Sequence, residues 1–129
     1  ASCAPRCRPS WSARVASDPT CLFCRIVRGE IPAKIVAQTP ECLAFRDIDP
    51  RAPTHVVIIP RDHIPTLTAI TDPLVVGRMA MLAVDIAKAE GIAESGYRTV
   101  INTNADGGQT VYHVHMHLLG GRHFTWPPG

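Results

Sequence analysis

Three of the six histidines in this chain lie within five residues, as His113, His115 and His117. One apolar residue separates each from the next, and a strand sends alternate side chains to opposite faces. The pattern predicts a strand over 111–119 that carries the three imidazoles on one face and buries the intervening apolar side chains on the other. Imidazoles exchange protons near neutral pH and bind metal ions. This cluster therefore indicates either a metal site or phosphorus chemistry.

A second group of reactive side chains lies near the other end of the chain. Cys21 and Cys24 have the Cys-x-x-Cys spacing of metal ligands. The alternative is that both are apolar side chains of a helix. An odd total of five cysteines argues against a fully disulfide-paired secreted framework.

The elements that must position these residues can be predicted from turn signals and periodicity. Asp18-Pro19 is expected to cap a short helix that runs to about Arg28, and Asp72-Pro73 opens the one long helix, which Gly91 ends. The apolar stripe from Leu74 to Ile86 is expected to be its core face. The predicted strands cover 35–37, 42–45, 54–59, 98–102 and 111–119, with a turn at 104–108. The fold class is therefore α+β, with a five-stranded, mainly antiparallel sheet, one long helix and one short helix.

Composition limits the remaining possibilities. A length of 129 residues with 46% hydrophobic content fits one domain, predicted over 18–129. A net charge of +2 argues against a dedicated nucleic-acid partner, and no apolar run approaches the roughly 20 residues of a membrane span. Residues 1–17 are rich in arginine and serine without an acid, and they are predicted to form a flexible basic arm. Organelle transit peptides are likewise rich in arginine and serine and poor in acidic residues. The alternative is an extension without function. The predicted location is therefore either cytoplasmic or organellar.

The histidine pattern, His-apolar-His-apolar-His-apolar-apolar, resembles the histidine triad (HIT) family of nucleotide hydrolases and transferases. Further segments resemble its histidine triad nucleotide-binding (HINT) branch, in family order over roughly residues 20 to 129. These segments are Glu30 to Ile35, Cys42 to Ile48, Ala52 to His55, Asp106 to Gln109, Leu119 to Arg122 and Trp126 to Gly129.

The resemblance implies a homodimer in which two five-stranded sheets form one ten-stranded sheet. It also implies a purine nucleoside phosphoramidase, which cleaves the P–N bond of adenosine 5′-phosphoramidate and related AMP or GMP conjugates. His115 matches the nucleophile that forms a nucleotidyl-histidine intermediate, and His117 is expected to contact an α-phosphate oxygen. His55 is expected to orient these histidines. Thr110 stands where relatives usually carry serine, so the hydroxyl is retained with an added methyl group.

The resemblance also implies the nucleotide contacts. Asp47 matches the residue that accepts hydrogen bonds from the ribose hydroxyls, and a carboxylate suits a vicinal diol. Trp126 is expected to reach the partner protomer's site. The other predicted contacts are an apolar base slot of Leu22, Phe23, Ile26, Phe45 and Ile48, and a phosphate region of Asn102, Gly108, Gln109 and Thr110 with His115 and His117. Taken singly, Phe23, Phe45 and Ile48 would fit an ordinary core.

Some relatives bind zinc, and the matching residues here are Cys21, Cys24, His63 and His113. The expectation is a structural zinc ion, with no cofactor required for the chemistry. Two other functions stay open: hydrolysis or transfer on dinucleoside polyphosphates or adenylyl sulfate, and a non-catalytic nucleotide- or metal-binding interaction protein. In the metal-binding case all three triad histidines would contact metal.

Overall fold

Five antiparallel strands form one sheet in the computed structural model, which describes residues 16–129. The strands are β1 (Ile35–Gln38), β2 (Cys42–Arg46), β3 (Thr54–Pro60), β4 (Tyr97–Val100) and β5 (Met116–Gly120). Their order in the sheet is β1-β2-β3-β5-β4. The predicted α+β class with a five-stranded antiparallel sheet is confirmed.

The helices are α1 (Leu22–Val27), a 3-10 helix (Leu67–Ala69), α2 (Pro73–Ala89) and α3 (Asn104–Gly107). The predicted long and short helices correspond to α2 and α1. The segment 104–108 was expected to be a turn and instead contains the one-turn helix α3, which Gly108 ends with φ of 81°. Glycine adopts this left-handed conformation without steric cost.

The ends of α2 follow the sequence signals. The Asp72 carboxylate accepts a hydrogen bond from the Leu74 N–H at 2.9 Å, Pro73 occupies the first turn, and Gly91 follows with φ of 75°. The predicted core stripe is wrong at Leu74 and Met81, whose side chains are 55% and 61% exposed. The buried face consists of Val75, Met79, Leu82, Ala83, Ile86 and Ala87. This set has the spacing of one helix face, to which Leu74 and Met81 do not belong.

Strand β3 lies at the centre of the sheet and is buried on both faces, which explains its continuous apolar run. Val56 and Ile58 pack in the cluster that contains the buried face of α2. Val57 and Ile59 pack on the opposite face with Phe23 of α1. One face of the sheet is therefore covered by α2, and the other face carries α1 and the side chains described below.

Helix α1 begins later than predicted. Both the N–H and the hydroxyl of Thr20 donate to one Asp18 carboxylate oxygen, at 2.8 and 2.7 Å, so Asp18 closes a local turn and does not cap the helix. Cys21 is the N-cap, and its sulfur accepts from the Cys24 N–H at 3.4 Å. The two cysteine sulfurs therefore lie at the start of α1, near the His63 and His113 side chains.

The first described residues are tied to the domain. Ala16 donates its N–H to Asp62 at 2.7 Å and accepts the His63 N–H at 2.9 Å. Ser17 accepts from Arg28. The predicted arm falls mostly on residues 1–15, which lie outside the described residues. Within 16–129, no helix has the length and apolar character needed to cross a membrane.

Candidate functional site

The histidine cluster does not form the predicted continuous strand. β5 begins only at Met116, so His113 and His115 lie in the segment that leads into it. The Val114 N–H in this segment donates to Ile64 at 2.7 Å, which draws it away from the sheet ladder. As a consequence the imidazoles of His113 and His115 face two different sites.

Hydrogen bonding fixes the proton on His115. Its Nδ1 lies 2.8 Å from the backbone carbonyl oxygen of His113, and a carbonyl can only accept, so Nδ1 carries the proton. The Nε2 lone pair is therefore available to attack an electrophile. The Phe23 ring packs edge-on against this imidazole, with 5.1 Å between ring centroids. Burial lowers the pKa of His115, which keeps the imidazole neutral and nucleophilic near pH 7.

The register of β3 and β5 brings His55 beside His117. His117 pairs with Val57, and His55 pairs with Leu119, so the two histidines are diagonal neighbours on one face. His55 Nδ1 accepts the Arg51 N–H at 3.0 Å, which leaves the proton on Nε2. That Nε2–H donates to His117 Nδ1 at 2.9 Å.

The same bond assigns the tautomer of His117. Because its Nδ1 is an acceptor, its proton must be on Nε2, where it can donate to a phosphate oxygen. Burial, with the nearby His115 and His55, lowers the pKa of His117 to about 4. Burial also lowers the pKa of His55. The pair therefore donates as neutral imidazoles near pH 7.

Asp47 lies directly after β2 and next to His55. Its N–H donates to the His55 carbonyl at 3.0 Å, and one carboxylate oxygen lies 3.3 Å from His55 Nε2. The other oxygen accepts the Asp49 N–H at 2.8 Å. Asp47, His55 and His117 could geometrically hold a metal ion. The Arg51 bond opposes this, because it places a proton on the His55 nitrogen that would have to bind the metal.

A cavity of about 800 Å³ contains these groups. It is lined by the predicted residues Leu22, Phe23, Ile26, Phe45, Asp47, Ile48, His55, Thr110, His115 and His117. Ile48 is fully exposed at 100%, so it lies at the mouth and not within an apolar slot. Sequence reasoning missed several lining residues: Ile31, Pro32, Ala33, Lys34, Arg46, Pro50, Pro53, Val57 and Val111. Ile31 to Lys34 belong to the Glu30–Ile35 segment, which resembles the HINT branch. That resemblance was the signal that could have identified them as site residues.

Gly108 and Gln109 were predicted in the phosphate region, but their backbone N–H groups are used within the loop. The N–H groups of Gly108 and Gln109 donate to Ala105 and Asn104, both at 3.0 Å. They therefore close α3 and do not point to an anion. The Gln109 side chain is also committed to the loop, since it accepts from the Asn104 N–H at 3.0 Å and donates to the Pro65 carbonyl at 2.8 Å.

Two further predicted contacts lie away from the cavity of their own chain. Asn102 is half-buried but does not line the cavity, and Trp126 is 81% exposed in the C-terminal tail. Such exposure is compatible with the predicted reach of Trp126 into a partner protomer's site.

The four predicted metal ligands converge. The ligand atoms of Cys21, Cys24, His63 and His113 all lie within 4.8 Å of one another. The His113 Nδ1 is 3.5 Å from each sulfur, and His63 Nδ1 is 3.4 Å from the Cys24 sulfur. His113 Nε2–H donates to the Pro60 carbonyl at 2.7 Å. This leaves Nδ1 unprotonated and directed at the thiols, as a metal ligand requires.

His113 connects the two sites. Its side chain belongs to the Cys₂His₂ cluster, and its carbonyl holds the His115 proton. Burial lowers the pKa of His113 to about 4. The interpretation in which all three triad histidines share one metal is contradicted, because only His113 is part of this cluster.

Comparisons with known proteins identify the family. The sequence profile of the HIT domain matches residues 28–124, which is most of the chain. The chain belongs to the HIT family.

Individual relatives agree with this assignment. The chain is 54% identical to the purine nucleoside phosphoramidase of Escherichia coli K12 over 103 residues, covering 78% of this chain and 87% of that protein. It is 51% identical to an HIT-like protein of Synechococcus elongatus over 110 residues, covering 84% and 96%. The crystal structure of an HIT family hydrolase from Legionella pneumophila superimposes with a TM-score of 0.83 at 53% identity, covering 85% of this chain and all (100%) of that one.

Proposed function

We propose that this protein is a purine nucleoside phosphoramidase, which hydrolyses the P–N bond of adenosine 5′-phosphoramidate and similar conjugates. The observation that carries the proposal is the His115 Nδ1–H bond to the His113 carbonyl at 2.8 Å. That bond leaves an unprotonated Nε2 on a residue that lines the main cavity. The 54% identical E. coli phosphoramidase supports the choice of substrate class.

In the first step, the Nε2 lone pair of His115 attacks phosphorus and forms a P–N(His) bond. The bond from phosphorus to the substrate amine breaks, its electron pair stays on the amine nitrogen, and that nitrogen takes up a proton. The Thr110 hydroxyl lies on the cavity wall and can relay that proton to the amine from a water molecule. Water then attacks the nucleotidyl-histidine and releases the nucleoside monophosphate.

His117 stabilises the charge that develops on the phosphoryl oxygens. Its Nε2–H is fixed by His55, so the donor is already oriented before the reaction begins. Asp47 is proposed to accept from the ribose hydroxyls, and the apolar wall formed by Leu22, Phe23 and Ile26 to hold the purine base.

The test is steady-state hydrolysis of adenosine 5′-phosphoramidate by the wild-type protein and by His115→Asn. Asparagine is the matched variant because its amide can still donate to the His113 carbonyl while it has no nucleophilic ring nitrogen. The proposal expects turnover by the wild type and a loss of at least about a thousandfold in the variant. If the wild type cleaved dinucleoside polyphosphates or adenylyl sulfate but not the phosphoramidate, the substrate assignment would be wrong.

We further propose a structural zinc ion held by Cys21, Cys24, His63 and His113. In a tetrahedral site with Zn–S of about 2.3 Å and Zn–N of about 2.0–2.1 Å, sulfur and nitrogen are about 3.6 Å apart. The observed separations of 3.4 and 3.5 Å fit this arrangement. Four protein ligands leave no open position, so the chemistry would not require the ion.

Metal analysis of the purified protein tests this site. We expect about one zinc ion per chain, which Cys24→Ser removes and Cys42→Ser retains. Cys42 is the matched control because it is a buried thiol within β2, outside the ligand cluster. Zinc that remained bound to the Cys24→Ser protein would contradict the assignment.

We propose that the protein is a homodimer. β4 is an edge of the sheet, and an edge strand has backbone groups available for pairing. The exposed apolar side chains Leu74, Met81 and Trp126 offer apolar area that a partner protomer could bury. Sedimentation analysis should give a dimer mass; a monomer would refute the proposal.

A mixing experiment tests whether Trp126 completes the partner's site. His115→Asn and Trp126→Ala protomers are each expected to have impaired activity alone. A mixed dimer would contain one site with both an intact His115 and the partner's tryptophan, so activity should rise on mixing. No increase, despite confirmed subunit exchange, would show that Trp126 acts elsewhere.

A further inference from the structure

A second cavity adjoins the first one. Its volume is about 480 Å³, and it shares Leu22, Thr110 and Val111 with the main cavity. Thr110 therefore lines both the second cavity and the main cavity, which contains His115 and His117. In the proposed reaction the amine departs near Thr110, so any chain attached to that amine can extend across this wall.

The charge of the second cavity comes from Asp18. Among its lining residues that the structure describes, Asp18 is the only aspartate, glutamate, lysine or arginine. The two hydrogen bonds from Thr20 hold the Asp18 carboxylate in place at 2.8 and 2.7 Å. Its second oxygen faces His63 Nε2 at 4.0 Å, and the Asp18 side chain is 41% exposed. This separation is beyond hydrogen-bond distance, so the oxygen has room to accept a hydrogen bond from a ligand.

The neighbouring metal cluster does not cancel this charge. Two cysteine thiolates would neutralise the charge of a divalent zinc ion held there. Asp18 then remains the acidic side chain that a cation in this cavity would meet. The Thr20 and Tyr112 side chains also line the cavity and add hydroxyl groups to a ligand site.

We propose that this cavity is a leaving-group subsite that favours amines bearing a second, positively charged ammonium group. The inference rests on the proposed phosphoramidase function and adds the class of amine. The phosphorus chemistry is unchanged: the P–N bond to the amine breaks and the distal ammonium, held near Asp18, keeps its protons.

The test uses two AMP phosphoramidates of equal chain length, one made from putrescine and one from n-pentylamine. They differ only in a terminal ammonium or methyl group. The measured quantity is the ratio of their kcat/KM values within one protein, so a general loss of activity cancels. Because Asp18 is partly exposed, we expect the wild type to favour the putrescine conjugate by about 1.5- to 5-fold at low salt. The preference should weaken as ionic strength rises.

Asp18→Asn should bring the ratio close to one, since asparagine keeps the turn with Thr20 but has no charge. Asp62→Asn is the matched control: Asp62 is a nearby carboxylate that bonds Ala16 and does not line this cavity. It should retain the wild-type ratio, and zinc analysis of both variants checks that the metal cluster is intact.

Three results would overturn the subsite. These are a wild-type ratio near one, a ratio that Asp18→Asn leaves unchanged, or an equal effect of Asp62→Asn, which would indicate general surface charge. Each of these can occur while the wild type still hydrolyses adenosine 5′-phosphoramidate, and then the proposed function stands. If the wild type does not hydrolyse adenosine 5′-phosphoramidate, both the proposed function and the subsite are wrong.

Discussion

The buried imidazole of His117 makes a specific prediction about folding stability at acidic pH. Its pKa is about 4 in the folded protein, against 6.5 for the unperturbed side chain. Between these values the unfolded chain binds a proton that the folded chain excludes. The free energy of unfolding therefore falls as pH decreases from about 6.5 towards about 4.

The size of the effect follows from the pKa difference. One pKa unit is worth about 1.4 kcal/mol, so the full contribution is about 3 kcal/mol. About 2 kcal/mol of this should be lost by pH 5. The His117 side chain is only 19% exposed, so solvent screening reduces the value little.

Urea denaturation of the wild type and His117→Asn from pH 8 to pH 5 measures this contribution of His117 to the free energy of unfolding. Asparagine can place an acceptor where Nδ1 accepts from His55, and it does not titrate. The protein concentration is held equal and a chelator is present throughout, so that dimerisation and metal release affect both proteins alike. We expect the wild type to lose about 2 kcal/mol more than the variant. Parallel pH curves would refute the burial argument.

Three further predictions test other parts of the structure by substitution. His55→Asn should lower kcat more than His55→Gln, because only glutamine can place an N–H donor against His117 Nδ1. Equal kcat values would show that the hydrogen bond from His55 to His117 does not matter for the reaction. Phe23→Ala should lower the free energy of unfolding by roughly 3–5 kcal/mol in urea titrations, because Phe23 is 7% exposed; a loss below 1 kcal/mol would show that α1 is loosely packed. Arg46→Ala removes two hydrogen bonds to Glu90, at 2.7 and 3.0 Å, and should lower the free energy of unfolding by about 1 kcal/mol in the same assay. The double variant Arg46→Ala/Glu90→Ala should be no less stable than Glu90→Ala alone; a further loss would contradict the pairing.

Local sequence signals predicted the elements whose determinants are local. The Asp72-Pro73 start and Gly91 end of α2 depend on neighbouring residues alone, and the apolar run of β3 reports its burial on both sheet faces. The prediction that Asp18 caps α1 was wrong, because its carboxylate accepts hydrogen bonds from Thr20, two residues later.

The segment before β5 could not be predicted from alternation. The bond from the Val114 N–H to Ile64 and the convergence of His113 on two cysteines are long-range interactions. They separate His113 from His115, which a strict two-residue period would have placed together. The His55–His117 contact likewise depends on the register between β3 and β5, and no spacing along the chain encodes it.

His115 Nε2 is the proposed nucleophile, and the most direct measurement of this role is to trap its covalent adduct. Wild-type protein mixed with excess adenosine 5′-phosphoramidate, quenched within one turnover and analysed by peptide mass mapping should carry one nucleotidyl group on His115. His115→Asn should carry none while retaining the fold. A nucleotidyl group on another residue, or turnover in His115→Asn at the wild-type rate, would contradict the mechanism.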